Sequence, residues 1–562
     1  MGFHPENKQI KPFHGTPALH PYSQTASLDL RKHFSTELKT DDLFNGQVEI
    51  IGEQKNTDSV IILNAWRIDV FAANVSCNNR ELEIVNIAHQ KLVDDTLRIE
   101  VAGNITTGEK CVVKIKYAAP FSQLYGLYKS YFPSKYDEGQ KTVAVTTNNE
   151  PEMSRLWVPC FDSMDILSNW TINIEHPLNT RLLGMGNVLT RKIGNYQKSA
   201  LKSMRPWQAS KVAFALIEEK RFKTYSQVAK TNQTLRFWFP RNIIFRMKAN
   251  DILKISSEFF NSVSDSFGRV LGCKNIEFVV LQHRSGVSSG CLVIFDQRHD
   301  LNAQQLRSSI VKLWLGSEVL YPSTQDAWFT QALAEYLALT HSNWTEGVFV
   351  ISMLADILTR SSFDNMVREL IRTFSGRFFT SDRIFFLTRE FTERSKWPAC
   401  YRAFISTQSD FIGLPVVSIN RANNTLTITQ HNFEMLDRDD FRFRPIFWTS
   451  QWTNPLWVLV NGSTNFMWLH HDDVSVEMEL GGDESVFVDP EIHGLYLVEY
   501  HGKDLFSMWN KTQDCSRFHR YCVEPTINGN FCVSIYNQHC RVEFPTIPLL
   551  YSGYMHRWDN ED

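Results

Sequence analysis

A chain of 562 residues is too long for one hydrophobic core, and with 43% apolar and 21% charged residues it has an ordinary globular balance, so several domains are expected. A formal net charge of −3 and the lack of any long basic stripe argue against a nucleic-acid partner. Aromatic residues at 13% favour large packed interfaces over disorder.

No apolar run reaches the ~18 residues a membrane helix needs, so no transmembrane segment is expected in this chain. Met1 to Asp42 is polar and lacks an apolar signal core, which suggests an incomplete N-terminus or an unrecognised leader. From about residue 44 to 220 the pattern is that of strands: Val48–Ile51, Val60–Leu63, Leu97–Val101 and Cys111–Ile115 are short, rich in β-branched residues and separated by Asn, Gly and Asp turns. An antiparallel β-sandwich is the simplest reading. Beyond about residue 240, apolar residues recur at helical spacing over 246–264, 302–320, 325–340 and 347–373. Two strands, Ile276–Leu281 and Leu292–Phe295, lie between the first two of these, which makes an α+β region. Alternation returns between 414 and 500, as in Leu426–Thr429 and Leu495–Tyr500, and reads as a second, smaller sandwich.

Eight Asn-x-Ser/Thr sites, at Asn74, Asn104, Asn169, Asn232, Asn343, Asn423, Asn461 and Asn510, favour a secreted or cell-surface glycoprotein. Among ten cysteines, Cys515, Cys522, Cys532 and Cys540 are spaced for local disulfides; zinc ligation is the other reading, without a tight Cys-x-x-Cys pair to favour it. His470-His471-Asp472-Asp473 has metal-binding side chains, against which stands the plain reading of a solvated polar loop. Gly286-Val287-Ser288-Ser289-Gly290 has the letters of G-x-S-x-G, but no His and Asp sequence context singles out a serine triad. Cys160, Trp314, Trp328 and Tyr336 read as core residues.

Four ordered strings carry a resemblance. Gly126-Leu127-Tyr128-Lys129-Ser130, Asn149-Glu150-Pro151-Glu152-Met153-Ser154-Arg155, Pro159-Cys160-Phe161-Asp162 and His176-Pro177 follow one another within about 50 residues. They resemble G-F-Y-R-S, F-E-P-x-x-A-R, P-C-F-D-E-P and H-P of the gluzincin zinc aminopeptidases, the family of membrane alanyl aminopeptidase and puromycin-sensitive aminopeptidase. The resemblance continues to about residue 500. Gly286 to Gly290 resembles the substrate-binding loop G-A-M-E-N, with the Gly kept and the Glu and Asn replaced by Ser289 and Gly290. Lys312-Leu313-Trp314-Leu315-Gly316 is similar to H-Q-W-F-G, and Trp328 to Tyr336 to W-L-N-E-G-F-A-x-Y.

The resemblance implies an N-terminal extension over 1–43 and an aminopeptidase-like β domain over 44–220. A thermolysin-like α+β domain over 221–413, a β-sandwich over 414–500 and a cysteine-containing segment over 501–562 follow, with the usual helical C-terminal domain absent or vestigial. It also fixes a register for the H-E-x-x-H metal motif and its distant Glu. Lys312 and Gln331 are 19 residues apart, as the family requires. Ser308 and Lys312 then stand where two histidine ligands belong, Gln331 where the third ligand belongs and Ser309 where the general base belongs. Trp344 stands for the catalytic tyrosine. Glu150 is the retained functional position, matching a residue that helps hold a substrate's α-amine; a turn carboxylate before Pro151 is the plainer reading.

A catalytic zinc needs three donors with available lone pairs and an open place for water. Ser308 and Gln331 offer neutral oxygens, poor ligands for zinc, and Lys312 places an ammonium where the dication would sit. At an effective dielectric of about 20 and ~4 Å that repulsion amounts to several kcal/mol. The expectation is therefore a pseudoenzyme with no zinc cofactor, kept to bind a peptide or an extracellular protein. Glu150 and Gly286 are its peptide-binding candidates, and Lys312 is expected to pair with Glu150 across the cleft. The alternative is an active metallo-aminopeptidase, removing N-terminal residues from peptides through a non-standard metal site.

Overall fold

The computed structural model describes residues 17–34, 42–90, 95–131, 142–241, 247–281, 287–296, 301–338, 346–358, 360–384, 386–388, 404, 415–432, 452–481, 484, 486–489, 494 and 496–501. The chain divides into two units: Met1–Ile351 with Ser361–Leu387, and Ser352–Arg360 with Thr388–Asp562.

In the first unit the strand Leu19–Asp29 buries alternate residues, the period-two pattern of a strand with one face in a core. It lies inside an eight-stranded sheet, parallel to Asn169–Pro177 and antiparallel to Leu43–Gln54. Residues 19–29 are thus part of the sheet and not of an extension over 1–43. The sequence conceals this because a polar residue, Gln24, occupies a core position. Gln24 is fully buried, donates to Ser168 Oγ at 2.8 Å and accepts from the Phe161 amide at 3.2 Å, so the position is satisfied without being apolar.

The strands read from the sequence at 48–51, 60–63, 97–101 and 111–115 lie within Leu43–Gln54, Asp58–Asn64, Thr96–Ile105 and Lys110–Pro120. Asp58–Asn64 and Thr96–Ile105 form a three-stranded sheet with Ile84–Gln90. Its Ile61, Leu63, Leu97 and Ile99 share one buried cluster with Val48, Ile50, Val113 and Ile115 of the eight-stranded sheet. That is the two-layer packing expected of a sandwich. Cys77 and Cys111 face each other across adjacent strands and are joined by a disulfide, as are Cys273 and Cys291. Cys160 is a free, buried thiol.

His176, at the end of Asn169–Pro177, is fully buried. Its Nδ1 meets Thr180 Oγ1 at 2.7 Å and its Nε2 meets Ser199 Oγ at 2.8 Å. Burial pushes its pKa down to about 4, because the site holds the neutral ring. The unfolded chain, with a histidine near 6.5, therefore binds the proton first, and stability falls as pH drops from about 6.5 towards 4. Between pH 7 and 5 this group alone is expected to remove about 2 kcal/mol. Urea unfolding at the two pH values measures it, and a His176→Gln variant should lose that part of the pH slope.

A five-stranded mixed sheet follows, in the order Phe222–Val228, Thr234–Pro240, Asn275–Leu281, Leu292–Asp296, Val287–Ser289. The helices are α1 (Ala249–Phe267), α2 (Ala303–Lys312), α3 (Thr324–Ala338), α4 (Glu346–Ile357) and α5 (Arg360–Phe374). Asn302 caps α2 by accepting from the Gln305 amide at 2.8 Å. The helix stops at Lys312, short of the 302–320 span that its apolar spacing predicts. Gly316, at φ +108°, turns the chain, and Trp314 drops into a buried site between Phe260 and Phe267 of α1. The single helix expected over 347–373 is two, α4 and α5, separated just before the Ser361-Ser362 pair, residues that favour helix starts over interiors.

In the second unit, the sheet Val476–Glu479, Thr425–Asn432, Pro415–Ala422, Leu497–His501 and the sheet Ser463–Leu469, Asn454–Val460, Val486–Val488 share a buried cluster that includes Ile419, Leu426, Leu456 and Val458. The segment 502–562, with Cys515, Cys522, Cys532, Cys540 and Asn510, lies outside the described residues, as do Asn343, Trp344 and Gly286.

Candidate functional site

Helices α2 and α3 pack against each other. Leu306, Ile310 and Val311 bury one face of α2, leaving Ser308, Ser309 and Lys312 half-buried on the rest. On α3, Ala327, Thr330 and Ala334 are buried while Gln331 and Glu335 are half-buried one turn apart. The seam brings Lys312 Nζ to 3.7 Å from Glu335 Oε1.

The centre of the site is a lysine that sequence reasoning missed. Lys211 ends the short 3-10 turn Ala209–Lys211 and is buried, its side chain 3% exposed. Its ammonium donates to Glu150 Oε1 and, at 2.9 Å, to Tyr321 Oη, and it lies 4.8 Å from the centre of the Tyr321 ring. Burial opposes its charge, but the Glu150 carboxylate and Tyr321 outweigh burial and hold its pKa above the usual lysine value. Gln331 in turn hydrogen-bonds Tyr321, and burial raises the tyrosine's pKa. Glu150, Lys211, Tyr321 and Gln331 thus form one connected chain of polar contacts ending on α3.

The backbone makes this arrangement rigid. The buried Gln208 side chain donates to the carbonyl oxygens of Met164 and, at 2.7 Å, Tyr321, pinning the tyrosine to the turn that carries Lys211. A Cβ added to Gly316 would lie 3.8 Å from both Lys211 Nζ and the Lys312 carbonyl oxygen, so the ammonium lies beside the turn that follows α2. Ser289 is buried and donates its hydroxyl to the Lys211 carbonyl. Gly290, at φ +58°, passes so close to the Met185 carbonyl that a Cβ there would stand 2.4 Å away. These two residues are committed to packing.

The pairing of Lys312 with Glu150 expected from the sequence is replaced by another arrangement: Lys211 takes Glu150, and Lys312 takes Glu335. A signal for Lys211 existed. It abuts Val212 to Ile217, an apolar run that is buried throughout, and a lysine there needs an internal carboxylate. His470, His471 and Asp472 belong to the second unit. The described sequon residues Asn74, Asn104, Asn169, Asn232, Asn423 and Asn461 are all exposed.

Residues 22–202 match the peptidase M1 N-terminal domain. This stretch is an M1 N-terminal domain, and the chain is similar to M1 aminopeptidases beyond it. Among M1 relatives, it is 20% identical to aminopeptidase N of Rattus norvegicus over 76% of this chain and 51% of that protein. It is also 20% identical to glutamyl aminopeptidase of Mus musculus, over 67% of this chain and 46% of the relative. A shorter match, 26% identical, covers 26% of the chain and 16% of endoplasmic reticulum aminopeptidase 1 of Rattus norvegicus. The chain spans about half the length of the first two. The M1 match begins within the strand Leu19–Asp29, in keeping with that strand's place in the sheet. No helix among the described residues is long and apolar enough to cross a membrane.

Proposed function

We propose that this chain is a non-hydrolytic M1 relative whose scaffold binds a peptide or an extracellular protein. In this reading the mixed sheet with α2 and α3 is the counterpart of a thermolysin-like catalytic domain, and Ser308, Lys312 and Gln331 hold the three ligand positions. The observation that carries it is Lys312: its ammonium lies at the α2–α3 seam, 3.7 Å from Glu335. The donor set does not fit the zinc that the family implies. An ammonium has no lone pair to give, and the Gln331 amide is a weak neutral donor already bonded to Tyr321. Ser309 is no proton acceptor near neutral pH. Glu150, the carboxylate at the family's amine-binding position, is occupied internally by Lys211, which supports loss of α-amine capture at that carboxylate as well as of chemistry.

Two disulfides and six exposed sequon asparagines support an oxidising, extracellular setting and a glycosylated surface. The test is turnover of aminoacyl arylamides by the purified protein in excess zinc, with and without a chelator. The expected result is no hydrolysis above the protein-free rate. Chelator-sensitive hydrolysis would establish an active enzyme with a non-standard metal site.

A further inference from the structure

We propose that His470, His471 and Asp472 form a binding site for a zinc-type dication in the second unit. Among the described residues this is the group whose His and carboxylate donor atoms converge, all within 4.8 Å of one another. Asp472 Oδ2 is 3.6 Å from His470 Nδ1, and Asp472 Oδ1 is 3.5 Å from His471 Nε2. Tetrahedral zinc, bonded to nitrogen and oxygen at about 2.0–2.2 Å, separates its donors by roughly 3.4 Å. The two measured distances, one to each oxygen of Asp472, are close to that spacing. The two imidazole rings lie side by side, with centroids 4.2 Å apart. Two imidazoles and one carboxylate are the ligand types that suit zinc, and the exposed Asp472 leaves a side open for water.

The turn is braced before any ion arrives. The His470 amide donates to Asp473 Oδ2 at 2.9 Å, and the Asp473 amide returns to the His470 carbonyl at 3.0 Å. The His471 amide donates to Thr453 Oγ1 at 3.1 Å. His471 Nδ1 lies 3.0 Å from that same Thr453 oxygen. With Nδ1 carrying the proton towards Thr453, the Nε2 lone pair faces Asp472, the outer-shell arrangement that orients a metal-binding imidazole. The His470 Nδ1 lone pair, which accepts from the Asp472 amide at 3.3 Å, exchanges that contact for the ion. Two adjacent histidines with an aspartate in a braced turn are more than a solvated loop requires.

Protein stripped with a chelator and titrated with zinc chloride in a calorimeter should bind a single equivalent at this site. Asp472→Asn and His471→Ala should each weaken binding by at least roughly 10-fold, since losing a direct ligand costs no less than losing an outer-shell partner. Asp472 is exposed, so its variant keeps the test decisive if His471→Ala fails to fold. No zinc uptake by the unmodified protein, or unchanged affinity in both variants, overturns the site. Zinc that survives both changes but is lost with Gln331→Ala would overturn the reading of α2 and α3 instead.

Discussion

The fourfold variant Ser308→His, Ser309→Glu, Lys312→His and Gln331→Glu, made in a chain that also carries His471→Ala, is expected to gain a zinc equivalent that the single variant lacks. The affinity should be micromolar or tighter, about −8 kcal/mol. Positions 308 and 312 are one turn apart on α2, so two imidazoles there meet on one face. The seam already brings α2 and α3 side chains to within 3.7 Å, between Lys312 and Glu335, so a carboxylate at 331, one turn before Glu335, is in reach. Removing the Lys312 ammonium also removes a repulsion of several kcal/mol, at an effective dielectric of about 20 and ~4 Å. Hydrolysis is not expected to return with the metal, because Lys211 still occupies Glu150 and Ser289 is still turned inward. Zinc content after gel filtration measures the gain. A variant that folds and takes up no zinc would mean that 308, 312 and 331 do not converge and that the register is wrong.

What the sequence made legible was set by the range of the interactions involved. The strands at 48–51 and 111–115 follow from local alternation, and the structure places them as adjacent sheet members. The N-terminal strand Leu19–Asp29 escaped because Gln24 interrupts its apolar face. The end of α2 escaped because Trp314 and Gly316 keep the apolar spacing of a helix while leaving its geometry. The helices that carry the candidate residues were legible, but the pairing of Glu150 was not. Helical spacing foretells only that Ser308, Lys312 and Gln331 lie on helices, and nothing in the neighbourhood of Glu150 announces that its cation comes from Lys211, 61 residues away. Charge compensation in a buried site is a three-dimensional property, and only the unusual context of Lys211 hints at it.

Asp162→Ala is expected to cost the first unit about 3–5 kcal/mol, the usual penalty for removing one partner of a buried ion pair. Asp162 is fully buried, and its Oδ2 accepts from both the backbone amide and the Nε of Arg155 at 3.0 Å. Arg155, 5% exposed, has a second carboxylate, Glu152, at 3.0 Å, which is partly solvated and leaves the guanidinium incompletely compensated once Asp162 is gone. Burial raises the pKa of Asp162 against the pull of Arg155, so desolvation is the larger influence on this carboxylate. Asp162→Asn keeps an oxygen for the Arg155 amide and should cost less than the alanine variant. Urea unfolding followed by tryptophan fluorescence measures both, since Trp157 and Trp170 lie in the same buried cluster. A loss under about 1 kcal/mol for Asp162→Ala would assign the pair to solvated surface behaviour. The expected large loss instead makes Arg155 and Asp162 a structural clasp within the stretch that matches the M1 N-terminal domain.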